Sequence, residues 1–259
     1  MASPQSAARP RAVVTGASSG IGLAFAERLA HDGYDLVVVA RRRDRLEALA
    51  RRLREQHEVV VDVLVADLTQ PAELSLVEQH ITGDGSLTLV VNNAGSAGYM
   101  PFVSLDPDHA EELIRLHIIA VTRLTRAALP SMLAHGRGAV INVSSLLAFS
   151  ASVASPTLPK RAVYAGAKAY INAFTETLSH ELEGTGVRVQ ALCPGIVRTE
   201  FHEVAGNDLS RLPPEAFASP EDIVRASLSG LRLGETLCLP TVSDLAVLAA
   251  SQALSLIHI

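Results

Sequence analysis

Tyr164 and Lys168 stand four positions apart in the stretch YAGAK, and their side chains are suited to proton chemistry. On a helix, residues i and i+4 share one face, so the phenol and the ammonium can approach the same space. A phenol, with a pKa of about 10, needs a pKa about three units lower to exchange protons near neutrality, and an ammonium about 4 Å away supplies most of that change. The pair predicts proton transfer, although a surface ion pair or packing pair has the same spacing.

A glycine-rich turn, VVTGASSGIG, places Gly16, Gly20 and Gly22 between the first apolar run and a helical pattern. Glycine permits a tight turn and a close approach of backbone amides to a ligand, and the amides that begin a helix attract an anion. The spacing is G-x-x-x-G-x-G rather than the more widespread G-x-G-x-x-G. We predict a pyrophosphate-binding turn, with a purely structural glycine turn as the alternative.

The second apolar run ends in VVVARRRDRL, which puts Arg41 and Arg42 at its end and no acidic residue before Asp44. At this place in a dinucleotide-binding unit a carboxylate binds the ribose 2′-hydroxyl of NAD, whereas an arginine accommodates the 2′-phosphate of NADP. The sequence therefore predicts NADP, bound as NADPH, as the cofactor. The later arginines of this stretch fit a solvated basic helix face.

The elements that must position these residues alternate along the chain. Seven apolar, β-branched runs are predicted to be strands: RAVVTG, DLVVVA, VVVDVLVAD, LTLVVNN, GAVINVSS, VRVQALC and the weaker ETLCLP. Helices are predicted over residues 20–32, 44–56, 71–81, 107–133, 161–183 and 220–231, and the second carries the apolar stripe Leu46, Leu49, Ala50 and Leu53. Apolar strands alternating with helices are typical of a parallel sheet. We predict an α/β fold, a single-domain Rossmann-like doubly wound parallel sheet of about seven strands with helices on both faces.

Composition excludes several classes of protein. The 259 residues are 48% hydrophobic, and a formal charge of −5 gives no general attraction to nucleic acid or to anionic membranes. Cys193 and Cys238 lack the spacing of a metal site or a disulfide framework, so buried thiols and no bound metal are expected. Without a signal peptide or a membrane span in the pattern, a cytoplasmic location is the expectation. We expect residues 1–10 to be disordered, the domain to cover 11–245, and 246–259 to form a tail of uncertain structure.

Six motifs occur together, in a fixed order along the chain: TGASSGIG at 15–22, ADL at 66–68, NNAG at 92–95, VSS ending at 145, YAGAK at 164–168 and PGIVRT at 194–199. In this set the chain resembles the short-chain dehydrogenase/reductase family, over roughly residues 11–245. YxxxK alone is common, whereas the six together are very improbable by chance. The resemblance implies hydride transfer between a nicotinamide cofactor and a carbonyl or alcohol.

The resemblance also implies a role toward the cofactor for each motif. The pyrophosphate and adenosine side would lie on Gly16, Ser18, Ser19, Gly20, Ile21 and Gly22, and the 2′-phosphate on Arg41, with Arg42 also binding the cofactor. The adenine would lie at Asp67 and Leu68, the adenosine ribose at Asn93, Ala94 and Gly95, and the nicotinamide carboxamide at Pro194, Gly195, Ile196 and Thr199.

The catalytic set that the resemblance implies is Ser145, Tyr164 and Lys168. Tyr164 would protonate the substrate carbonyl oxygen as hydride arrives from NADPH, and Ser145 would hydrogen-bond the same oxygen. Lys168 would bind the nicotinamide ribose and lower the pKa of Tyr164. Dehydrogenation would run the same steps in reverse.

His117 departs from the family pattern, which has an asparagine at this place in the long helix as part of a water-linked proton relay to the lysine. Histidine can also hold a water, and its usual pKa lies near the working range. Two interpretations stay open. Either His117 serves an altered relay and joins the candidate catalytic residues, or it is a satisfied buried histidine.

The interval from Ser145 to Tyr164 is nineteen positions, longer than the family's usual spacing. The extra residues, within LLAFSASVASPTLPKRA, can bulge outward as a loop that shapes the substrate pocket and leaves the two hydroxyls together. The alternative is that Ser150, Ser152 or Ser155 has taken over the role of Ser145.

Residues 200–219 follow the last motif and are expected to form a lid over the site. Their apolar side chains, without a cluster of basic residues, favour a small hydrophobic ketone, aldehyde or 3-oxoacyl compound as substrate. The resemblance also implies a homodimer or homotetramer. The favoured function is NADPH-dependent carbonyl reduction. The alternatives are an epimerase or dehydratase on the same scaffold and an NADP(H)-binding regulator without efficient turnover.

Overall fold

One parallel sheet organises the structure, a computed structural model that describes residues 9–153, 158–201, 213 and 216–242. Its strands are β1 (Arg11–Thr15), β2 (Asp35–Ala40), β3 (Val61–Val65), β4 (Leu87–Asn92), β5 (Gly138–Val143), β6 (Val187–Leu192) and β7 (Leu237–Cys238). Across the sheet their order is β3-β2-β1-β4-β5-β6-β7, and every pairing is parallel. The predicted doubly wound α/β sheet of seven strands is confirmed.

Helices connect the strands, and their outer ends lie within two residues of the predicted ones. They are α1 (Gly20–His31), α2 (Arg43–His57), α3 (Pro71–Thr82), α4 (Pro107–Ile114), α5 (Val121–His135), α6 (Ala162–Glu181) and α7 (Pro220–Leu233). A proline begins α3, α4 and α7, because the first helical position needs no backbone N–H. Before α4 the carboxylate of Asp106 also accepts hydrogen bonds from the N–H groups of Asp108 and His109.

The segment predicted as one helix over 107–133 is not a continuous α-helix. A π-helical stretch, Arg115–Ala120, separates α4 from α5. A π turn holds an extra residue and redirects the side chains within it. The buried side chain of His117 lies in this stretch, next to the candidate site.

Successive side chains of the strands pack on opposite faces of the sheet, as the alternation of a strand requires. In β2, Leu36 and Val38 pack in the layer with α1, α2 and α7, whereas Val37 and Val39 pack with α3, α5 and α6. The predicted stripe of α2 is buried as expected: Leu46, Leu49, Ala50 and Leu53. Burying each large aliphatic side chain contributes about 1.5–3 kcal/mol, so these two layers hold the sheet in place.

The order of the strands reverses between β1 and β4, and in doubly wound sheets ligands bind in the crevice at such a point. Thr15 ties the two strand ends together: its Oγ1 accepts hydrogen bonds from the N–H of Asn93 at 2.9 Å and of Ala94 at 3.0 Å. The Asn93 amide donates to the Thr15 carbonyl at 2.9 Å. These bonds fix the edge on which the motifs converge.

Several predictions fall outside the described residues: those for positions 1–8, for most of the lid 200–219, for the tail 246–259 and for Ser155. Cys193 and Cys238 are buried free thiols, as predicted. In the part of the chain that the structure describes, no helix is both long and apolar enough to cross a membrane.

Candidate active site

The glycine turn lies at the carboxyl end of β1, where the crevice begins. Gly16 and Gly20 have φ values of +68° and +57°, which glycine adopts without strain. A Cβ at Gly22 would lie 2.4 Å from both the Gly16 carbonyl oxygen and Asn93 Nδ2, so only glycine fits at this contact of helix and strand. Ile21 turns inward and packs against the core.

The amino end of α1 is suited to an anion. Among the described side chains none caps it, and its first turn carries no acidic residue. Its backbone N–H groups and the positive end of its dipole are therefore available to a pyrophosphate. Together with the tight glycine cradle, this arrangement fits a dinucleotide.

Arg42 and Arg41 occupy different places beside this turn. The Arg42 guanidinium donates to Ser18 Oγ from Nε at 3.1 Å and from Nη2 at 2.8 Å, and to Ser19 Oγ at 2.7 Å. Arg41 instead forms an ion pair with Asp67 at 3.6 Å. Of the two arginines predicted to bind NADP, Arg42 is thus the one held against the glycine turn. A cation there fits the 2′-phosphate of NADP.

The ADL motif, residues 66–68, follows β3. The carboxylate of Asp67 accepts hydrogen bonds from the N–H of Thr69 at 3.0 Å and from its hydroxyl at 2.8 Å. Leu68 is buried in the core. Partial burial raises the pKa of Asp67, but the Thr69 hydrogen bonds and the Arg41 charge outweigh it, so the pKa is lowered and Asp67 stays ionised.

The PGIVRT segment reaches the same edge of the sheet. The side chain of Thr199 lies against Gly20, where an added Cβ would come within 3.1 Å of its methyl group. Pro194 and Ile196 accept backbone hydrogen bonds from Leu146 and Ala218, at 2.9 Å each. The Gly195 N–H donates to Thr241 Oγ1 at 3.2 Å. The structure thus brings this segment next to the glycine turn.

Ser145 and Tyr164 meet beyond the end of β5. Both side chains are buried, and the Ser145 side chain lies close enough to the Tyr164 phenol to lower its pKa. The extra residues between them begin with a turn of 3₁₀-helix, Leu146–Phe149, and continue through exposed residues at 151–153. This part of the insertion bulges outward and leaves the two hydroxyls together.

Ser150 and Ser152, the described alternatives to Ser145, lie elsewhere. The Ser150 hydroxyl donates to the Leu147 carbonyl at 2.6 Å and accepts from Arg161 Nε at 2.7 Å. These two hydrogen bonds stabilise the loop between Ser145 and Tyr164. Ser152 is exposed. Ser145 is thus the serine that the structure brings to Tyr164 among those described.

Lys168 lies one helical turn after Tyr164 and is buried with it. Its Nζ donates to the Val143 carbonyl at 2.8 Å and lies 5.6 Å from the centroid of the Tyr164 ring. Burial lowers the pKa of Lys168 to about 7. The ammonium thus faces a strand end and the ring, and it is partly deprotonated near neutrality.

The pKa of Tyr164 is raised well above its ordinary value, first by burial and then by the neighbouring Tyr99 phenol, with the Ser145 hydrogen bond opposing. The prediction that Lys168 lowers this pKa stays a prediction, because burial and Tyr99 account for the rise and Lys168 is not among its causes. Both groups are buried, and desolvation favours the neutral form of each. The phenol stays protonated at neutral pH, as a proton donor must.

Tyr99 is a residue of the site that the sequence analysis missed. Its ring meets that of Tyr164 edge to face at 5.2 Å, and burial raises the pKa of Tyr99 to about 12. Phe201 packs 6.3 Å from the Tyr164 ring and 6.5 Å from the Tyr99 ring. The available signal was position, because the SAGYM stretch directly follows NNAG at the carboxyl edge of the sheet.

His117 is completely buried, with its ring edge to face against Tyr164 at 5.5 Å. Its Nε2 lies 2.8 Å from the Ser96 carbonyl oxygen and 3.4 Å from the Ser96 backbone nitrogen; the shorter contact favours a proton on Nε2, and Nδ1 then is an acceptor without a hydrogen-bond partner in the described structure. An added Cβ at Gly95 would lie 2.8 Å from His117 Cε1, so this glycine makes room for the ring.

Burial, followed by the Lys168 charge, lowers the pKa of His117 to about 3, against the opposing Ser96 hydrogen bond. The expectation that this histidine titrates near the working range is therefore wrong. A neutral imidazole can still hold a water through Nδ1, so its part in a relay stays a prediction.

Replacing His117 with asparagine is expected to reduce the loss of stability that the wild type shows as the pH falls below 6.5. Below pH 6.5 the unfolded chain takes up a proton that the folded protein refuses, so wild-type stability falls as the pH falls. Between pH 6.5 and 5 the wild type should lose about 1.5 kcal/mol more than His117→Asn. Urea unfolding at both pH values measures this, with the exposed His180→Asn as the control. Equal slopes for wild type and His117→Asn would mean that His117 is ionised in the folded protein.

Comparison with known proteins agrees with this geometry. The family model described as short chain dehydrogenase matches residues 10–209. The chain therefore belongs to the short-chain dehydrogenase/reductase family of oxidoreductases. Among solved structures, a short-chain dehydrogenase from Sphingobium yanoikuyae in complex with NADPH is 37% identical, with a TM-score of 0.86 and 96% of each chain covered. The bulky-bulky ketone specific alcohol dehydrogenase of Comamonas testosteroni is 32% identical, with a TM-score of 0.83 and coverage of 96% of this chain and 94% of that one.

Three curated relatives of greater length are also similar to the chain. Hydroxysteroid dehydrogenase-like protein 1 of Gallus gallus is 31% identical over 86% of this chain and 66% of its own length. The Homo sapiens protein named inactive hydroxysteroid dehydrogenase-like protein 1 is 32% identical over 73% of this chain and 56% of its own length. The very-long-chain 3-oxoacyl-CoA reductase of Anas platyrhynchos is 30% identical over 88% and 72%. The chain thus spans only part of the length of these relatives.

Proposed function

We propose that the protein is an NADPH-dependent reductase of hydrophobic ketones, aldehydes or 3-oxoacyl compounds, with Tyr164 as the proton donor. The observation that carries the proposal is the placement of the buried Ser145, Tyr164 and Lys168 side chains beside a glycine cradle fit for a dinucleotide. The relatives named for bulky ketones and 3-oxoacyl-CoA support the same class of substrate.

The cofactor would be held by the glycine turn, by the amino end of α1 and by Arg42, and NADPH when bound supplies the hydride. The Ser145 hydroxyl would donate a hydrogen bond to the substrate carbonyl oxygen and orient it. The protonated Tyr164 phenol would give its proton to that oxygen as the carbonyl carbon becomes a hydroxyl-bearing carbon. Lys168, 5.6 Å from the ring, would stabilise the phenolate that remains.

The hydrophobic substrate class follows from the walls around Tyr164. The centre of the Tyr164 ring lies 5.2 Å from that of Tyr99 and 6.3 Å from that of Phe201. The Tyr99 and Phe201 rings lie 6.5 Å apart. Their rings favour an apolar group beside the reacting carbonyl. We therefore expect bulky aryl or alkyl ketones and 3-oxoacyl compounds to be better substrates than small polar carbonyls.

The experiment follows NADPH oxidation by purified protein with a panel of bulky ketones, ketosteroids, 3-oxoacyl thioesters and aromatic aldehydes, and with NADH in parallel. Consumption that prefers NADPH and yields the alcohol supports the reductase. Tight NADPH binding with no carbonyl reduced would favour the second candidate, a binding protein without turnover. The human relative named inactive supports that candidate, whereas the presence of Ser145, Tyr164 and Lys168 together counts against it.

Replacing Ser145 with alanine is expected to lower turnover by about 10²-fold, because the carbonyl oxygen loses a positioned donor. Steady-state kinetics on the best ketone of the panel measures the loss. The exposed Ser152→Ala is the matched control and should behave as the wild type. Unchanged turnover in Ser145→Ala, with a loss in Ser155→Ala, would transfer the role to the other serine.

A further inference from the structure

We infer that Glu200 competes with the 2′-phosphate of NADP for Arg42 and Arg45, and thereby limits the preference of the protein for NADP over NAD. The inference rests on the proposed function, in which NADP is the cofactor. It assigns a specificity role to a residue that directly follows the cofactor motif PGIVRT and belongs to none of the six motifs.

The geometry around Glu200 is that of an anion site already filled by a carboxylate. Arg42 uses Nε and Nη2 to hold the two serines of the phosphate turn, and its Nη1 donates to Glu200 Oε2 at 3.1 Å. Arg45, one turn along α2, donates from Nη1 to both carboxylate oxygens of Glu200, at 2.9 and 2.8 Å. Two guanidinium groups thus converge on one carboxylate at the edge of the cofactor cradle.

Glu200 lies beside the glycine turn in space, although the two are far apart in the sequence. It directly follows Thr199, whose methyl group packs against Gly20 of the glycine turn. The carboxylate is therefore held beside the turn by its neighbour as well as by the arginines. Hydrogen bonds from Arg45 and then Arg42 lower the pKa of Glu200, which keeps it charged at neutral pH.

A 2′-phosphate seeks the same donors as this carboxylate. Phosphate and carboxylate are both bound by the planar fork of arginine, and phosphate carries the larger negative charge. If both anions stay close to Arg42, they repel each other; if Glu200 is displaced, its two ion pairs are lost. Either way NADP binds more weakly than it would without the carboxylate. NAD has a neutral 2′-hydroxyl and does not enter this competition.

The test compares dissociation constants of NADP⁺ and NAD⁺, measured by calorimetry, for the wild type and Glu200→Gln. The amide keeps the shape of the side chain and removes its charge. We expect NADP⁺ to bind about fivefold more tightly to Glu200→Gln, in line with the loss of an exposed ionic interaction, and NAD⁺ affinity to stay unchanged. The matched control is Glu47→Gln, because Glu47 also pairs with an arginine of α2, Arg43, at 3.8 Å.

The outcomes separate this inference from the proposed function. Wild-type protein that binds neither dinucleotide would refute both. Wild type that binds NADP⁺, with Glu200→Gln showing equal or weaker affinity, would overturn the competition and make Glu200 a support for Arg42. An equal gain for NADP⁺ and NAD⁺ would also overturn it, because the effect would not depend on the 2′-phosphate.

Discussion

Replacing Tyr164 with phenylalanine is expected to lower carbonyl reduction by about 10²- to 10⁴-fold, the usual contribution of a positioned proton donor, while NADPH affinity is retained. The phenyl ring preserves the packing against Tyr99 and His117, at 5.2 and 5.5 Å, and only the hydroxyl is lost. Steady-state rates and NADPH binding by calorimetry separate the two effects. A fall in turnover without a fall in binding is the signature of a group that acts on the reacting oxygen.

Tyr99→Phe is the matched control for this variant. It removes the hydroxyl of the neighbouring ring, which meets the Tyr164 ring edge to face at 5.2 Å, and leaves the Tyr164 hydroxyl in place. Turnover should fall by less than about tenfold, because Tyr99 positions and does not protonate. Equal losses in the two variants would assign the proton transfer to the pair. An active Tyr164→Phe would remove Tyr164 from the mechanism.

The framework of this fold could be predicted because burial on both faces of the sheet imposes local patterns. Continuous β-branched runs such as DLVVVA become strands whose neighbouring residues face opposite helical layers. The stripe of α2 and the prolines that begin α3, α4 and α7 are equally local signals. The strand β7, Leu237–Cys238, was the weakest of the predicted strands because two residues are too few to show the apolar pattern of a strand.

The break in the long helix could not be predicted, because a π turn depends on tertiary packing. Nothing in RLHIIA, the sequence of Arg115–Ala120, disfavours an α-helix through proline or glycine. The ring of His117 fits between Gly95 and Tyr164, and these neighbours come from other parts of the chain. The low pKa of His117 has the same origin, since the sequence gives no measure of how completely a side chain is desolvated.

The motifs predicted where the candidate site lies, but they did not determine which side chains pair within it. Adjacent arginines are equivalent as a sequence pattern, yet Arg41 faces Asp67 and Arg42 faces the serines of the glycine turn. That choice depends on the direction in which each side chain leaves the end of β2. Likewise Tyr99 joins Tyr164 only because the loop after β4 folds back over the catalytic edge.

Replacing Arg42 with alanine is expected to weaken NADP⁺ binding by about 10- to 100-fold, because a charge-assisted hydrogen-bond donor to the 2′-phosphate is lost. NAD⁺ binding should change little, since its 2′-hydroxyl does not need a cation. Calorimetric titration of both dinucleotides measures the preference directly. The wild type should prefer NADP⁺, and Arg42→Ala should lose most of that preference.

Arg41→Ala and Arg43→Ala test whether position or charge alone is responsible. Arg43 is exposed and pairs with Glu47 within α2, so its removal takes away one positive charge without touching the cradle. If general attraction to the phosphate were the cause, all three variants would weaken NADP⁺ binding alike. A loss confined to Arg41→Ala would place the 2′-phosphate beside Asp67, and Glu200 would then have no competitor at Arg42. The contact of Arg42 with Ser18 and Ser19 predicts that its variant alone loses the preference.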